Sequence, residues 1–225
     1  MSPGKKAVTP LPKPIQDIVD ELFGRRADLI SAREGLIQTY QALTELFGSG
    51  GILFICGNGG SFADAVHIKG ELAKSFEKPH PISSAEVLAE LEQSELGREL
   101  ADQLEQGFPV VVLGESHSLR SAFANDTHSQ FSYAQELNAF AAHIKRGALL
   151  GISTSGTSRN VNAAMILAQA YRYTTIGFTG PAGGETARHA DISWRAPGGC
   201  TAEIQENQAP LYHGLCRMIE AHFFG

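Results

Sequence analysis

The sequence predicts an α/β fold: one parallel sheet of about five strands with helices on both faces. Short, continuous apolar runs at 52–56, 110–113, 149–152, 175–178 and 192–194 alternate with segments of helical periodicity. Strands apolar on every residue are buried on both sides, as in parallel sheets covered by crossover helices. Clustered glycines or hydroxyl residues follow the first and third runs, as expected where a strand turns sharply into a helix.

Taken in order, segments 15–23 and 29–47 carry apolar residues at helical spacing, among them Ile30, Ile37, Leu43 and Phe47. Gly48-Ser49-Gly50-Gly51 breaks that pattern before the first strand. Helices are expected to begin at Ser61, Ser118 and Asn160, and a last helix closes the chain. Lys78-Pro79-His80-Pro81 leads into a Glu- and Leu-rich stretch, 83–106. Ser83 or Ser84 is its expected N-cap, with Glu86 in the first turn. This stretch reads as an exposed helical hairpin or one long helix. The division expected is a flexible tail, 1–14, and a single domain, 15–225.

The chain has 225 residues, 43% hydrophobic and 19% charged, which suffices for one domain with a sizeable core. A net charge of −6 argues against nucleic acid or an anionic membrane as partner, since both need a basic face. No apolar run approaches the length of a membrane span. The Pro- and Lys-containing start lacks the apolar core of a signal peptide. Cys56, Cys200 and Cys216 are odd in number and lack metal-type spacing, which suits a reduced, cytoplasmic protein.

The chemistry concentrates at Gly57-Asn58-Gly59-Gly60-Ser61, directly after the first strand. Backbone N–H groups at such a turn, reinforced by the helix dipole, form a cradle for an anion. The loop lacks the Gly-Lys-Ser/Thr ending of a Walker loop, and Phe62 stands where a dinucleotide fingerprint needs a small residue. By itself it could be a structural turn. A second loop, Ser153-Thr154-Ser155-Gly156-Thr157-Ser158, puts five hydroxyls in six residues at another strand end. One hydroxyl would suffice to cap the next helix, so the excess points to phosphate. Just inside the first helix, His67 and Glu71 are four apart and share a face. Such a pair is a common weak surface contact, and equally a metal or acid/base pair.

Four motifs in order resemble the phosphoheptose isomerases of the sugar-isomerase (SIS) family. They are Cys56-Gly57-Asn58-Gly59-Gly60-Ser61 with His67 and Glu71, then Asn125-Asp126, then Ile152 to Ser158, then Ile204-Gln205-Glu206 with His213. The resemblance covers residues 20–223 except 78–108. It implies a flavodoxin-like three-layer SIS fold, a homotetramer, and isomerisation of sedoheptulose 7-phosphate to a heptose 7-phosphate. It places a Zn²⁺ ion on His67, Glu71, Gln205 and His213. The phosphate falls to Ser61, Ser153, Thr154, Ser155 and Ser158, and the sugar to Asn58, Gly59, Asp126, Thr201 and Gln205. Glu71 and His213 become the acid/base pair.

Aldose–ketose isomerisation moves a proton between C1 and C2 through an enediol, so it requires a base, an acid and stabilisation of an oxyanion. A Lewis-acidic ion with N and O ligands suits the last requirement. On one helix Gln205 and His213 lie about 12 Å apart along the axis, with Pro210 expected to kink the path between them.

The chain departs from the family pattern in three places. Ser75 and Glu203 stand where the family has arginines, and the 78–108 segment is longer than the family norm. The departures leave open an isomerase for another phosphosugar, or a non-catalytic SIS protein that binds a sugar phosphate or a protein. They also suggest that the insertion lies near the mouth of the site, where Lys74, Lys78 and His80 would replace the missing positive charge.

Overall fold

The computed structural model describes residues 10–225. Most of the expected N-terminal tail, residues 1–9, lies outside the described residues, and the first helix, α1 (Lys13–Arg25), begins within the remainder. A 3₁₀ segment (Ala27–Ala32) separates α1 from α2 (Arg33–Gly48). The chain then runs β1 (Ile52–Gly57), α3 (Gly60–Leu72), α4 (Ala85–Leu91), α5 (Glu95–Gln103) and β2 (Val110–Val112). It continues through α6 (His117–Phe123), α7 (Ser132–Ala141), β3 (Gly147–Ser153), α8 (Arg159–Ala170) and β4 (Thr174–Thr179). The last elements are α9 (Gly184–Arg188), β5 (Ile192–Arg195) and α10 (Thr201–Phe224).

All five strands are parallel, in the order β2-β1-β3-β4-β5. Alternate side chains take opposite faces, so each face has its own core. Leu53, Ile55, Leu150, Ile152, Phe178 and Trp194 pack under α1, α2, α3 and α10. Phe54, Cys56 and Leu149 pack under α7 and α8. These are the three expected layers. Trp194 is fully buried and stacks on Phe178 with ring centroids 3.9 Å apart.

From β1 the chain crosses to β2 on one side and later returns past β1 to β3 on the other. Strand order therefore reverses between β1 and β3, and the loops after these strands flank the crevice where doubly wound folds bind ligands. The insertion is a hairpin: Ser84 Oγ accepts the Val87 N–H to start α4, and Ser94 Oγ accepts that of Gly97 to start α5. Helix α10 continues unbroken through Pro210. Among the described residues no helix is long and apolar enough to cross a membrane.

Candidate active site

Between the β1 and β3 loops lies a cleft of about 330 Å³. The β1 side contributes Asn58, Gly59, Gly60 and Ser61, and the β3 side Ile152, Ser153, Thr154 and Ser158. The start of α10 adds Thr201 and Gln205. Among the described residues no lysine or arginine lines this cleft, so an anion there meets hydroxyls and three helix N-termini, those of α3, α8 and α10.

Local chemistry holds both loops open. Gly59 has φ +55° and ψ −121°, a conformation open only to glycine, which turns the chain from β1 into α3. Asn58 and Asn160 exchange two amide hydrogen bonds of 2.8 Å, tying the β1 loop to α8. Tyr133 donates its hydroxyl to the Gly57 carbonyl, and burial pushes that phenol up to about 12. In the β3 loop, Ser153 Oγ accepts the Gly156 N–H at 3.1 Å and lies 3.1 Å from Ser158 Oγ. Ser155 turns its hydroxyl to Thr157 instead, 2.9 Å away, and does not line the cleft.

Along α3, residues 60, 64, 67 and 71 are spaced three or four apart and form one stripe, which faces α10. Gly60 meets the Gln205 side chain at one end of this seam. At the other end His67 meets Tyr212 and His213. His67 Nε2 lies 3.0 Å from Glu71 Oε1 and 3.5 Å from His213 Nε2. The Tyr212 hydroxyl is 3.0 Å from His67 Nδ1 and 3.4 Å from Asp64 Oδ1. Burial holds the His213 imidazole below its ordinary value; His67 adds to this and Glu71 opposes it. Burial also raises the Asp64 carboxyl, against the lowering effect of Tyr212 and His67.

Among the described residues no three His, Cys, Asp or Glu side chains form a ready-made metal site. The donor chemistry of His67, Glu71 and His213 nevertheless fits an ion such as Zn²⁺. Ligands at about 2.0–2.1 Å around a tetrahedral ion stand roughly 3.3 Å from each other. The two separations at His67 Nε2, 3.0 and 3.5 Å, bracket that value. Two imidazole nitrogens facing each other without a carboxylate between them are also a natural pair of ligands.

The seam thus brings His67, Glu71 and His213 together, while Gln205 of the same chain sits two turns away, lining the cleft between the β1 and β3 loops. Asp126 lies on an exposed π-turn (Ala124–His128), bonded to Asn125, and does not line the cleft. Both arginine departures have structural roles. The Ser75 N–H and hydroxyl bind the Glu105 carboxylate, closing the base of the insertion. Glu203 Oε2 accepts the Gly199 N–H at 2.7 Å and fixes the entry to α10.

No residue of the 78–108 insertion is among those that line the cleft, and just before it the Phe76 ring lies 5.6 Å from that of His213. His80 is buried, 3.4 Å from Glu220 and stacked on Phe224, so it brings no charge to the cleft. Sequence reasoning missed the roles of Tyr133, Asn160, Asp64 and Tyr212. The α3 stripe would have revealed Asp64; the others carry no local signal.

No family model matches the chain. Its relatives include the phosphoheptose isomerase of Burkholderia pseudomallei (strain 1710b), 32% identical over 198 residues, 86% of this chain and 87% of that one. That of Trichlorobacter lovleyi is 32% identical over 185 residues, 82% of this chain and 81% of the other. Among solved structures, the phosphoheptose isomerase of Neisseria gonorrhoeae superposes with a TM-score of 0.66 at 26% identity, covering 90% of this chain and 98% of that one. A Francisella tularensis structure shares the fold at a TM-score of 0.67 and 24% identity, over 90% of this chain and 98% of the other. With identity of this level spread over most of both chains, the protein belongs to the phosphoheptose isomerase family.

Proposed function

We propose that this phosphosugar isomerase interconverts sedoheptulose 7-phosphate and a heptose 7-phosphate. The carrying observation is the α3–α10 seam, with an anion cleft at one end and the His67–Glu71–His213 group at the other. Gly60 and His67 are seven residues apart, or about 10 Å along the helix axis. A seven-carbon sugar with phosphate and carbonyl at opposite ends bridges that span; a triose phosphate is too short.

In this reading Ser61, Ser153, Thr154 and Ser158 hold the phosphate, and Asn58, Thr201 and Gln205 orient the sugar hydroxyls. The phosphate anchor brings C1 and C2 to Glu71 and His213, and positioning of this kind lowers the barrier by removing motional freedom in advance. The Glu71 carboxylate, with one oxygen free beside an ion, carries the proton between C1 and C2, and His213, kept neutral by burial, serves as the second acid/base group when its Nε2 lone pair is not given to the ion. Zn²⁺ bound by His67, Glu71 and His213 would polarise the substrate carbonyl. A homotetramer in the cytoplasm completes the proposal, supported by the family resemblance.

The test is turnover of sedoheptulose 7-phosphate, followed by NMR, against a panel of pentose and hexose phosphates. Heptulose turnover that drops at least about 100-fold in Glu71→Gln and in His213→Ala supports the reading. Preference for a shorter sugar, or turnover that survives both changes, overturns it. Metal analysis of protein purified without chelator tests the zinc assignment separately.

A further inference from the structure

His67 has two ring nitrogens, and only Nε2 faces Glu71 and His213. For Nε2 to offer its lone pair to a ligand, the ring proton must sit on Nδ1. What lies beyond Nδ1 therefore decides whether His67 is competent. That neighbour is the Tyr212 hydroxyl at 3.0 Å, on a residue only 3% exposed, and beyond it is Asp64 Oδ1 at 3.4 Å.

We propose that Tyr212 and Asp64 are positioning residues that fix the His67 ring and keep its proton on Nδ1. A phenol oxygen can accept from Nδ1–H only if its own hydrogen points elsewhere. Asp64 is the acceptor in reach, and an ionised carboxylate accepts but never donates. The chain Nδ1–H to Tyr212 oxygen, then Tyr212 O–H to Asp64 Oδ1, gives each of the three groups a partner.

The opposite arrangement sends the Tyr212 hydrogen to Nδ1 and the ring proton to Nε2, facing Glu71. It leaves Asp64 without a donor, although Asp64 Oδ2 is already buried and unpartnered. Depriving Asp64, which already has one carboxylate oxygen buried without a partner, costs more than depriving Glu71, whose side chain is 18% exposed and can reach water. Outer partners of this kind orient metal-binding imidazoles and raise their basicity.

The inference rests on the zinc reading above, so its test includes a readout that needs no metal. In metal-free protein at pH 8, nitrogen-15 NMR of the ring reports which nitrogen of His67 carries the proton. Wild type is expected to be protonated at Nδ1, with Tyr212→Phe and Asp64→Ala shifted toward Nε2. Zinc affinity, measured by competition with a chromophoric chelator, is expected to fall about 10- to 100-fold in each variant. The double variant should lose little more than either single, because both act through one ring.

Tyr212→Phe keeps the packing ring, and it decides the question alone if Asp64→Ala fails to fold. A His67 tautomer unchanged by Tyr212→Phe overturns the proposal, as does zinc affinity within twofold of a zinc-binding wild type. Wild type that binds no zinc, yet shows the tautomer shift, defeats the metal assignment and leaves the positioning role standing.

Discussion

Replacing Gly60 by alanine separates the cleft's chemistry from the stability of the fold. A Cβ at this position would lie 2.8 Å from Gln205 Cδ and 2.9 Å from its Oε1, with the amide nitrogen closer still. The obstruction is the end of a flexible side chain, so Gln205 yields while α3 stays in place. Moving Gln205 off its preferred rotamer costs about 0.5–1.5 kcal/mol. Alanine in place of glycine in a helix returns about 0.5–1 kcal/mol. The net change in stability is within about 1 kcal/mol, or less than roughly 4 °C in melting temperature for a chain of this size.

Activity should respond differently. If the Gln205 amide bonds a sugar hydroxyl, its withdrawal costs about 0.5–1.5 kcal/mol, a roughly 2- to 13-fold loss in kcat/KM. Gln205→Ala should lose as much, and the double variant no more than either. Melting curves and steady-state kinetics on the four proteins complete the cycle. A kcat/KM within twofold of wild type for Gly60→Ala refutes the placement of Gln205 in the site. A loss of stability well above 1 kcal/mol refutes the claim that the side chain is what yields.

Three other outcomes follow from the same structure. Ser153→Ala removes the acceptor of the Gly156 N–H and should cost about 0.5–1.5 kcal/mol in stability and raise KM for the phosphorylated substrate; an unchanged KM would remove this hydroxyl from the phosphate site. Glu136 is buried and its carboxyl is raised, chiefly by burial and against the Gly114 N–H it accepts. With its folded value above the unfolded one, the native state holds more protons, so this group makes stability rise as pH falls through the folded value toward the unfolded 4.5. Glu136→Gln should therefore gain on wild type at pH 8 and lose the gain as pH falls toward 4.5, and urea melts showing no pH-dependent difference would count against it. Cys200 is exposed whereas Cys56 and Cys216 are buried, with Cys56 pushed up to about 12. A thiol reagent should modify one cysteine in native protein and three in denaturant, and fast native labelling of more than one contradicts the burial.

The strands at the centre of the sheet were legible because burial on both faces leaves β1, β3 and β4 no polar side to show. The hairpin's first cap was equally legible, since Ser84 acts on an N–H group three residues away, whereas Ser94, which caps the second helix, was not singled out. Helix α7 escaped notice because its core positions mix apolar Tyr133 and Leu137 with Ser132 and Glu136. The 29–47 segment has continuous periodicity, yet the chain makes a 3₁₀ segment up to Ala32 before α2 starts, and periodicity does not distinguish the two. In the site, the loop glycines and serines declare themselves by spacing. Tyr212 does not, because its role comes from α3 lying against α10, a contact across 145 residues. Ser75 and Glu203, departures when viewed as sequence, are ordinary clasps once Glu105 and Gly199 are seen beside them.

Helix α3 also acts as a ruler. Its first residues line the cleft between the β1 and β3 loops and its third turn carries His67, so backbone hydrogen bonds set the distance between them, not adjustable side-chain packing. Deleting one residue between Gly60 and His67 would shorten the span by about 1.5 Å and swing His67 about 100° away from α10. Only a change near a whole turn preserves the facing, and that alters the span by about 5.4 Å at once. A scaffold of this kind cannot drift gradually from one sugar length to the next. Such a change has to come from the partner side of the seam, on α10.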